Sequence, residues 1–131
     1  MTWEQFIPVE PVPHSYMVGR GGTLLLKKNA YKYKKDVKFY AWRYRPDEPI
    51  DGVLDVRITF YILRKPSHKR KPYPNTKPDV DNLSKATLDG LEAAGVIKND
   101  SRIVNLTLLK RWADEYGGRT GSLVTIKKIA D

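Results

Sequence analysis

The chain has 131 residues, 40% of them hydrophobic, and carries 24 lysines and arginines against 15 aspartates and glutamates, a formal net charge of +9. This length and composition suit one domain with a real hydrophobic core, not a disordered chain. Cysteine is absent, which excludes disulfides, thiolate nucleophiles and zinc–cysteine sites.

The charge points to the class of partner. A surface this basic favours polyanions, either nucleic acid or an anionic membrane. No apolar run approaches the roughly 18 residues of a membrane helix, and the N-terminus lacks the basic and apolar blocks of a secretory signal. We therefore expect a cytoplasmic protein that binds nucleic acid.

The first third of the chain predicts a strand, a turn and a helix. Prolines hold Phe6–Pro13 extended, as in an edge strand, and Gly19–Gly22 reads as a turn. A helix is predicted from Asn29, its N-cap, to about Arg45, with Val37, Tyr40, Ala41 and Tyr44 at helical spacing. Large aromatics such as Trp42 are expected mostly in the core, although a few could stack on exposed bases.

Val53–Leu63 is the clearest strand. Apolar and polar residues alternate along it, so one face should be packed and the other polar. The residues of the apolar face are Leu54, Val56, Ile58, Phe60 and Ile62. This pattern is typical of a sheet covered on one side.

The segment from Leu63 to Pro78 has no periodicity and is predicted to be a mobile basic loop, at about residues 64–78. A solvated connector would explain it, but loops of this length in small domains are usually functional or disordered. We expect its cations to clamp a phosphate backbone. They are Arg64, Lys65, Lys69, Arg70, Lys71 and Lys77.

A second helix is predicted from Asp79 to about Ala94, with Gly95 ending it. Two further strands follow, Arg102–Trp112 and Ser122–Ile129, and we expect them to form an antiparallel hairpin. In the first of them Val104, Leu106 and Leu108 share a face. The fold class is then α+β, a single domain in which a small mixed β-sheet is flanked by two main helices.

The acids at the start of the second helix have an ordinary structural explanation. Asp79 is a natural N-cap, whose carboxylate would accept from the N–H of Asp81 or Asn82. Asp81 and Asp89 each lie four residues from Lys85, so ion pairs along the helix would account for all three.

A metal site is the alternative. Asp79 and Asp81 can converge because a cap residue is not yet helical, and Asp100 lies at the mouth of a strand against which the helix packs. Carboxylates without histidine or cysteine nearby favour a hard cation, Mg²⁺ or Mn²⁺. The two histidines, His14 and His68, are far from this motif in sequence and are expected at the surface or on DNA rather than on a metal.

The segments "KPDVDNLSKATLDGL" and "AAGVIKNDSRIV" together resemble the RusA-type Holliday junction resolvases, endodeoxyribonucleases of bacteria and their prophages. That family has an Asp-x-Asp-Asn motif, a lysine four residues after its second aspartate, and a further aspartate about twenty residues on. These positions are Asp79, Asp81, Lys85 and Asp100. The chain departs from the family at Asn99, where members often carry a second acid.

The resemblance implies a bacterial or phage-encoded homodimer that resolves four-way DNA junctions by paired symmetric nicks in recombination and repair. It implies that Asp79, Asp81 and Asp100 hold Mg²⁺, with Mn²⁺ as a substitute, and that Lys85 acts at the scissile phosphate. Two other readings stay open: a basic DNA-binding module without chemistry, and a metal-dependent nuclease acting on other branched DNA.

Overall fold

In the computed structural model of the protein, the described residues are 1–12, 16–22, 24–26 and 28–131, with 16–18 and 24–26 described by their backbone alone. The α-helices and strands in chain order are β1 (Thr2–Ile7), β2 (Tyr16–Val18), β3 (Leu24–Leu26), α1 (Lys28–Arg43), β4 (Val53–Ile62), α2 (Val80–Ala93), β5 (Ile103–Trp112) and β6 (Gly121–Ala130). Within these ranges no helix is long and apolar enough to cross a membrane. His14, expected at the surface, lies outside the described residues.

The main sheet has four strands in the order β1-β6-β4-β5. Strand β4 lies inside it, antiparallel to β6 and parallel to β5, with Ile58 opposite both Val124 and Leu108. The sheet is therefore mixed, and with α1 and α2 it confirms the predicted α+β class. Strands β2 and β3, which the sequence did not predict, form a separate antiparallel pair around the expected glycine-rich turn.

The predicted hairpin of the last two strands is wrong. Strand β4 lies between β5 and β6 and pairs with both of them. The chain crosses the end of β4 through a short 3-10 helix, Ala113–Tyr116, where the rings of Tyr61 and Tyr116 pack 4.6 Å apart. This crossing leaves β5 at an edge of the sheet, which matters for the site described below.

The core lies between the sheet and the two helices. On β4 the alternation predicts burial correctly, since Leu54, Val56, Ile58 and Phe60 are fully buried and Ile62 is half-buried. The opposite face of β4 carries polar residues such as Arg57 and is open. Helices α1 and α2 supply the cover with residues that are themselves buried: Ala30, Tyr33, Val37, Ala41, Leu83, Ala86, Leu88 and Leu91.

The two helices cross in close contact at Gly90. A Cβ atom at this position would lie 2.6 Å from Cγ1 of Val37, so only glycine allows the approach. Beside the crossing, the hydroxyl groups of Tyr33 and Thr87 share a buried hydrogen bond of 2.8 Å. Burial raises the pKa of Tyr33 above its ordinary value, so the phenol stays protonated within this contact.

The predicted elements differ from the observed ones mainly in the first third. The edge strand is Thr2–Ile7 rather than Phe6–Pro13, and α1 begins at Lys28, before the expected cap at Asn29. Trp42 is 52% exposed, so the expectation that it lies in the core is wrong. Gly95, with φ of +81°, follows α2 as predicted.

We predict that Gly90→Ala destabilises the protein. Alanine usually favours a helix over glycine by up to about 1 kcal/mol, but here the added methyl overlaps Val37 and should cost roughly 1–3 kcal/mol. Urea unfolding measures the change. The double variant Gly90→Ala/Val37→Ala should lose less than the sum of the two single variants, because the second change relieves the overlap; strict additivity would contradict the prediction.

Candidate active site around helix α2

Asp79 occupies the N-cap position of α2 but does not cap it. Its backbone is extended, with φ of −73° and ψ of 140°, and its side chain makes no capping hydrogen bond. Only its carbonyl takes part in the helix, accepting from the N–H of Leu83 at 3.2 Å. The expected bond from the carboxylate to Asp81 or Asn82 is thus absent from this helix start, which leaves the carboxylate available to bind something else.

The predicted ion pairs along α2 do not form either. Asp81 and Lys85 are both exposed, and in the described part of the chain neither side chain makes an ion pair. Asp89 instead pairs with Lys34 of α1 at 3.1 Å. The ordinary explanation for these acids therefore fails at both positions of the motif, and α2 presents two unpaired carboxylates and a lysine to solvent.

Asp100 lies at the other end of α2. Its backbone N–H donates to a carboxylate oxygen of Glu92 at 3.0 Å. Glu92 is eleven residues beyond Asp81, a distance of about 16 Å along a helix. A Mg²⁺ ion lies only about 2.1 Å from each of its ligands. Asp100 therefore cannot bind the same ion as Asp79 and Asp81 of its own chain.

Within the part of the chain that the structure describes, the other acidic residues and the histidine do not form a metal site either. Over residues 1–12, 16–22, 24–26 and 28–131, no three histidines, aspartates or glutamates are grouped so that they could hold a metal ion. Among the described residues, Asp79, Asp81 and Asp100 are therefore not brought together within a single chain. The start of α2 supplies two of them.

Lys110 is a residue of this region that the sequence analysis missed. It projects from the helix-covered face of β5, opposite Phe60, and its Nζ donates to the carbonyls of Thr76 at 2.6 Å and Pro78 at 2.7 Å. Burial lowers the pKa of Lys110, and the negative charge of Asp79 opposes that shift. The sequence did contain a signal for this role, because Lys110 is a charged residue at a position of the strand whose side chain faces the core.

These contacts fix the position of Asp79. Lys110 ties the last residues of the basic loop to the end of β5, immediately before the helix begins. The carboxylate of Asp79 thus lies near the end of that edge strand, whereas Asp100 lies just before its beginning at Ile103. The start of α2 therefore lies beside the end of β5, and the end of α2 lies beside the beginning of β5.

The basic loop is wrapped around one of its own cations. The guanidinium of Arg64 donates to the carbonyls of His68 and Lys71 at 2.7 and 2.6 Å. It also lies 4.6 Å from the ring centre of Trp112 and pairs with Asp114 at 3.2 Å, which holds the pKa of Asp114 below its ordinary value. These contacts occupy the Arg64 side chain, which was predicted to bind DNA.

Trp112 completes this anchor. Its indole N–H donates to the carbonyl of Lys71 at 2.8 Å, and the ring of His68 packs on it with centroids 5.0 Å apart. The remaining cations of the loop point outward: Lys65, Lys69, Arg70 and Lys77 are exposed, and Lys71 is half-buried. The loop therefore presents a basic surface next to the start of α2.

Comparison with known proteins gives the family. The model of the family described as Endodeoxyribonuclease RusA matches residues 8–125, which include the whole of the motif and Asp100. The chain belongs to the RusA endodeoxyribonuclease family. This confirms the predicted family and the predicted class of enzyme.

Two relatives extend the comparison. The RusA-family chain is 27% identical to the crossover junction endodeoxyribonuclease rusA of Enterobacteria phage HK97 over 126 residues, 95% of this chain and 96% of the phage protein. It is 31% identical to the uncharacterized protein YqaN of Bacillus subtilis over 94 residues, 63% of this chain and 66% of YqaN.

The absence of a side-chain cap generates a prediction for Asp79→Ala. Removing a capping residue ordinarily costs about 1 kcal/mol, but this substitution should change the free energy of unfolding by less than about 0.5 kcal/mol, as at other surface positions. The matched control is Asn99→Ala, whose side chain does accept from the N–H of Ser101 at 2.9 Å. A loss at Asp79 equal to that at Asn99 would contradict the geometry.

We further predict that Lys110→Met destabilises this RusA-family protein by roughly 1–3 kcal/mol, because two carbonyls lose their donor. Amide hydrogen exchange should rise around Thr76 and at the start of α2. Lys127→Met is the control, since it removes the same charge from an exposed position on β6. Equal effects of the two substitutions on stability and exchange would refute a specific role for Lys110.

Proposed function

We propose that this protein is a metal-dependent endonuclease that resolves four-way DNA junctions by paired symmetric nicks during recombination and repair. The observation that carries the proposal is the start of α2, where unpaired carboxylates and Lys85 stand in solvent beside an outward-facing basic loop. Acids so close to a basic surface would repel phosphate unless a cation lay between them. The proposed setting is the cytoplasm of a bacterium, with the gene carried by the bacterium or by a phage.

The proposed ligands of the metal are Asp79, Asp81 and Asp100. An all-carboxylate set suits a hard cation with a preference for oxygen, so we propose Mg²⁺, with Mn²⁺ as a substitute. When bound, such an ion would supply a hydroxide-like water and polarise a phosphate oxygen. Since Asp100 lies at the far end of α2 within one chain, the complete set needs a second copy of the protein.

We therefore propose a homodimer formed through the edge of β5. This strand is ten residues long, pairs on one side with β4, and leaves its other edge free among the described residues. Along it Val104 is 59% and Leu106 42% exposed. A long, unpaired edge with exposed apolar residues is a template for pairing with another strand.

A two-fold axis through the middle of β5 would join the separated halves of the site. Antiparallel pairing of β5 with its copy would bring the beginning of one strand to the end of the other. Asp100, just before the beginning, would then approach Asp79 of the second copy, which Lys110 holds near the end. A two-fold dimer with two such sites also matches a junction in which two like strands are cut.

The remaining residues take roles in binding the substrate. Lys85, one turn from Asp81 on the exposed side of α2, would offset charge that develops on the scissile phosphate. The loop cations would neutralise backbone phosphates of the arms. They are Lys65, Lys69, Arg70, Lys71 and Lys77, with Arg64 proposed to hold the loop in shape while contributing to its positive field.

Mixing two inactive variants tests the site and the dimer together. Asp81→Asn and Asp100→Asn should each abolish cleavage of a labelled four-way junction in Mg²⁺, while binding without metal survives. When the two variants are unfolded together and refolded as a mixture, heterodimers carry one intact site made from the unchanged acids of both chains. The mixture should regain nicking, with single nicks in place of paired ones.

The controls separate the alternatives. Each variant refolded alone must stay inactive, and sedimentation must show dimers in all samples. No activity in the mixture would refute a site shared between two chains. Full cleavage by Asp81→Asn would refute the metal site, cleavage of plain duplex or single strands as fast as of the junction would refute the substrate, and binding without cleavage in any divalent ion would leave a non-catalytic DNA-binding module.

A further inference from the structure

The outer face of α1 carries large aromatic side chains in solvent. Tyr31, Phe39 and Trp42 are 56%, 61% and 52% exposed, although the opposite face of the same helix is buried against the sheet. At about 100° per residue, these three positions lie within one stripe on the side away from the core. Exposed apolar side chains gathered on one surface mark an interaction site more often than side chains scattered singly.

The same stripe is strongly basic. Lysines at 28, 32, 35 and 38 and an arginine at 43 are all exposed on α1, and the one acid of the helix, Asp36, already pairs with Lys32. Cations also lie over two of the rings: Lys35 is 5.5 Å from the ring centre of Tyr31, and Arg45 is 3.9 Å from that of Trp42. The surface thus combines π-faces with unneutralised positive charge.

We propose that the outer face of α1 is a second nucleic-acid-binding surface, which takes unpaired bases and their phosphates. Lysines would neutralise the backbone while the aromatic rings stack on bases, the combination found where proteins bind single strands. From Tyr31 to Trp42 the stripe is about 16 Å long, enough for several nucleotides. The identification of the ligand as DNA rests on the proposed function.

The position of α1 agrees with that use. Helices α1 and α2 lie side by side on one face of the sheet, joined by the bond between Tyr33 and Thr87 and by the pair of Lys34 with Asp89. The outer face of α1 and the exposed face of α2 therefore belong to one layer. A branched DNA seated at Asp81 and Lys85 would extend over α1, where unpaired bases from the branch can reach the rings.

Charge argues against a second copy of the chain as the occupant. Two-fold contact of this face with itself would set lysines against lysines. Nucleic acid supplies the complementary charge instead. We therefore take DNA as the occupant and leave self-association as an outcome of the test.

The test measures DNA binding without divalent metal, so that cleavage does not intervene. Three labelled probes are compared by fluorescence anisotropy: a four-way junction, a single strand and a fully paired duplex. Phe39→Ala/Trp42→Ala should weaken binding of the junction and the single strand roughly tenfold or more and leave the duplex nearly unchanged. Lys35→Gln/Lys38→Gln should reduce the slope of log K against log salt for the junction by about two.

Matched variants on the other side of the molecule control for bulk effects. Arg57→Gln/Lys127→Gln removes two charges from the open face of the sheet, and Ile129→Ala shortens an apolar side chain that is 52% exposed. Neither should alter binding of any probe by more than about twofold. Thermal unfolding confirms that each variant is folded.

Unchanged binding in both α1 variants would overturn the proposal, as would equal losses in the open-face controls. It would also be overturned if the aromatic variant changed the sedimentation of the protein while its affinity for DNA stayed the same, since that would assign the face to self-association. Because these measurements are made without metal, failure of wild-type cleavage would count against the proposed nuclease and not against this surface.

Discussion

Strand β4 imposes the constraint on which the other elements depend. It is hydrogen-bonded on both sides, and one of its faces is fully buried from Leu54 to Phe60. That face must be covered, which brings α1 and α2 together at Gly90. Its parallel pairing with β5 requires a long connection that returns the chain to the same end of the sheet. The basic loop and α2 are that connection, so the residues of the proposed site lie on the segment that the sheet topology demands.

The anchor inside the basic loop shows how a charged segment can be ordered without DNA. Arg64 and Trp112 satisfy the carbonyls of His68 and Lys71, and these contacts leave the other cations facing outward. Less conformational entropy then remains to be lost when phosphates bind. Lys110 does the same for the last residues before α2. In both cases a side chain of β5, Trp112 or Lys110, donates to backbone carbonyls of the loop.

The sequence predicted those elements whose pattern is local. The alternation in β4 follows from the period of a strand, the end of α2 follows from Gly95, and the spacing of the motif identified the family. Sheet order was not predictable, because the alternation in β5 does not say which strand will be its neighbour. Lys110 was missed since its partners are 32 and 34 residues away. The exposure of Trp42 was missed because the average burial of large aromatics was applied to it, although helical spacing places it on the side of α1 opposite Val37 and Ala41.

The edge position of β5 has a consequence for how such an enzyme is controlled. If each site takes ligands from two chains, an isolated chain has no complete site, and below the dissociation constant of the dimer the rate of cutting rises with the square of protein concentration. Low copy number alone would then keep the nuclease inactive. A junction that binds two chains at once would raise their local concentration, so that the substrate itself assembles the active form.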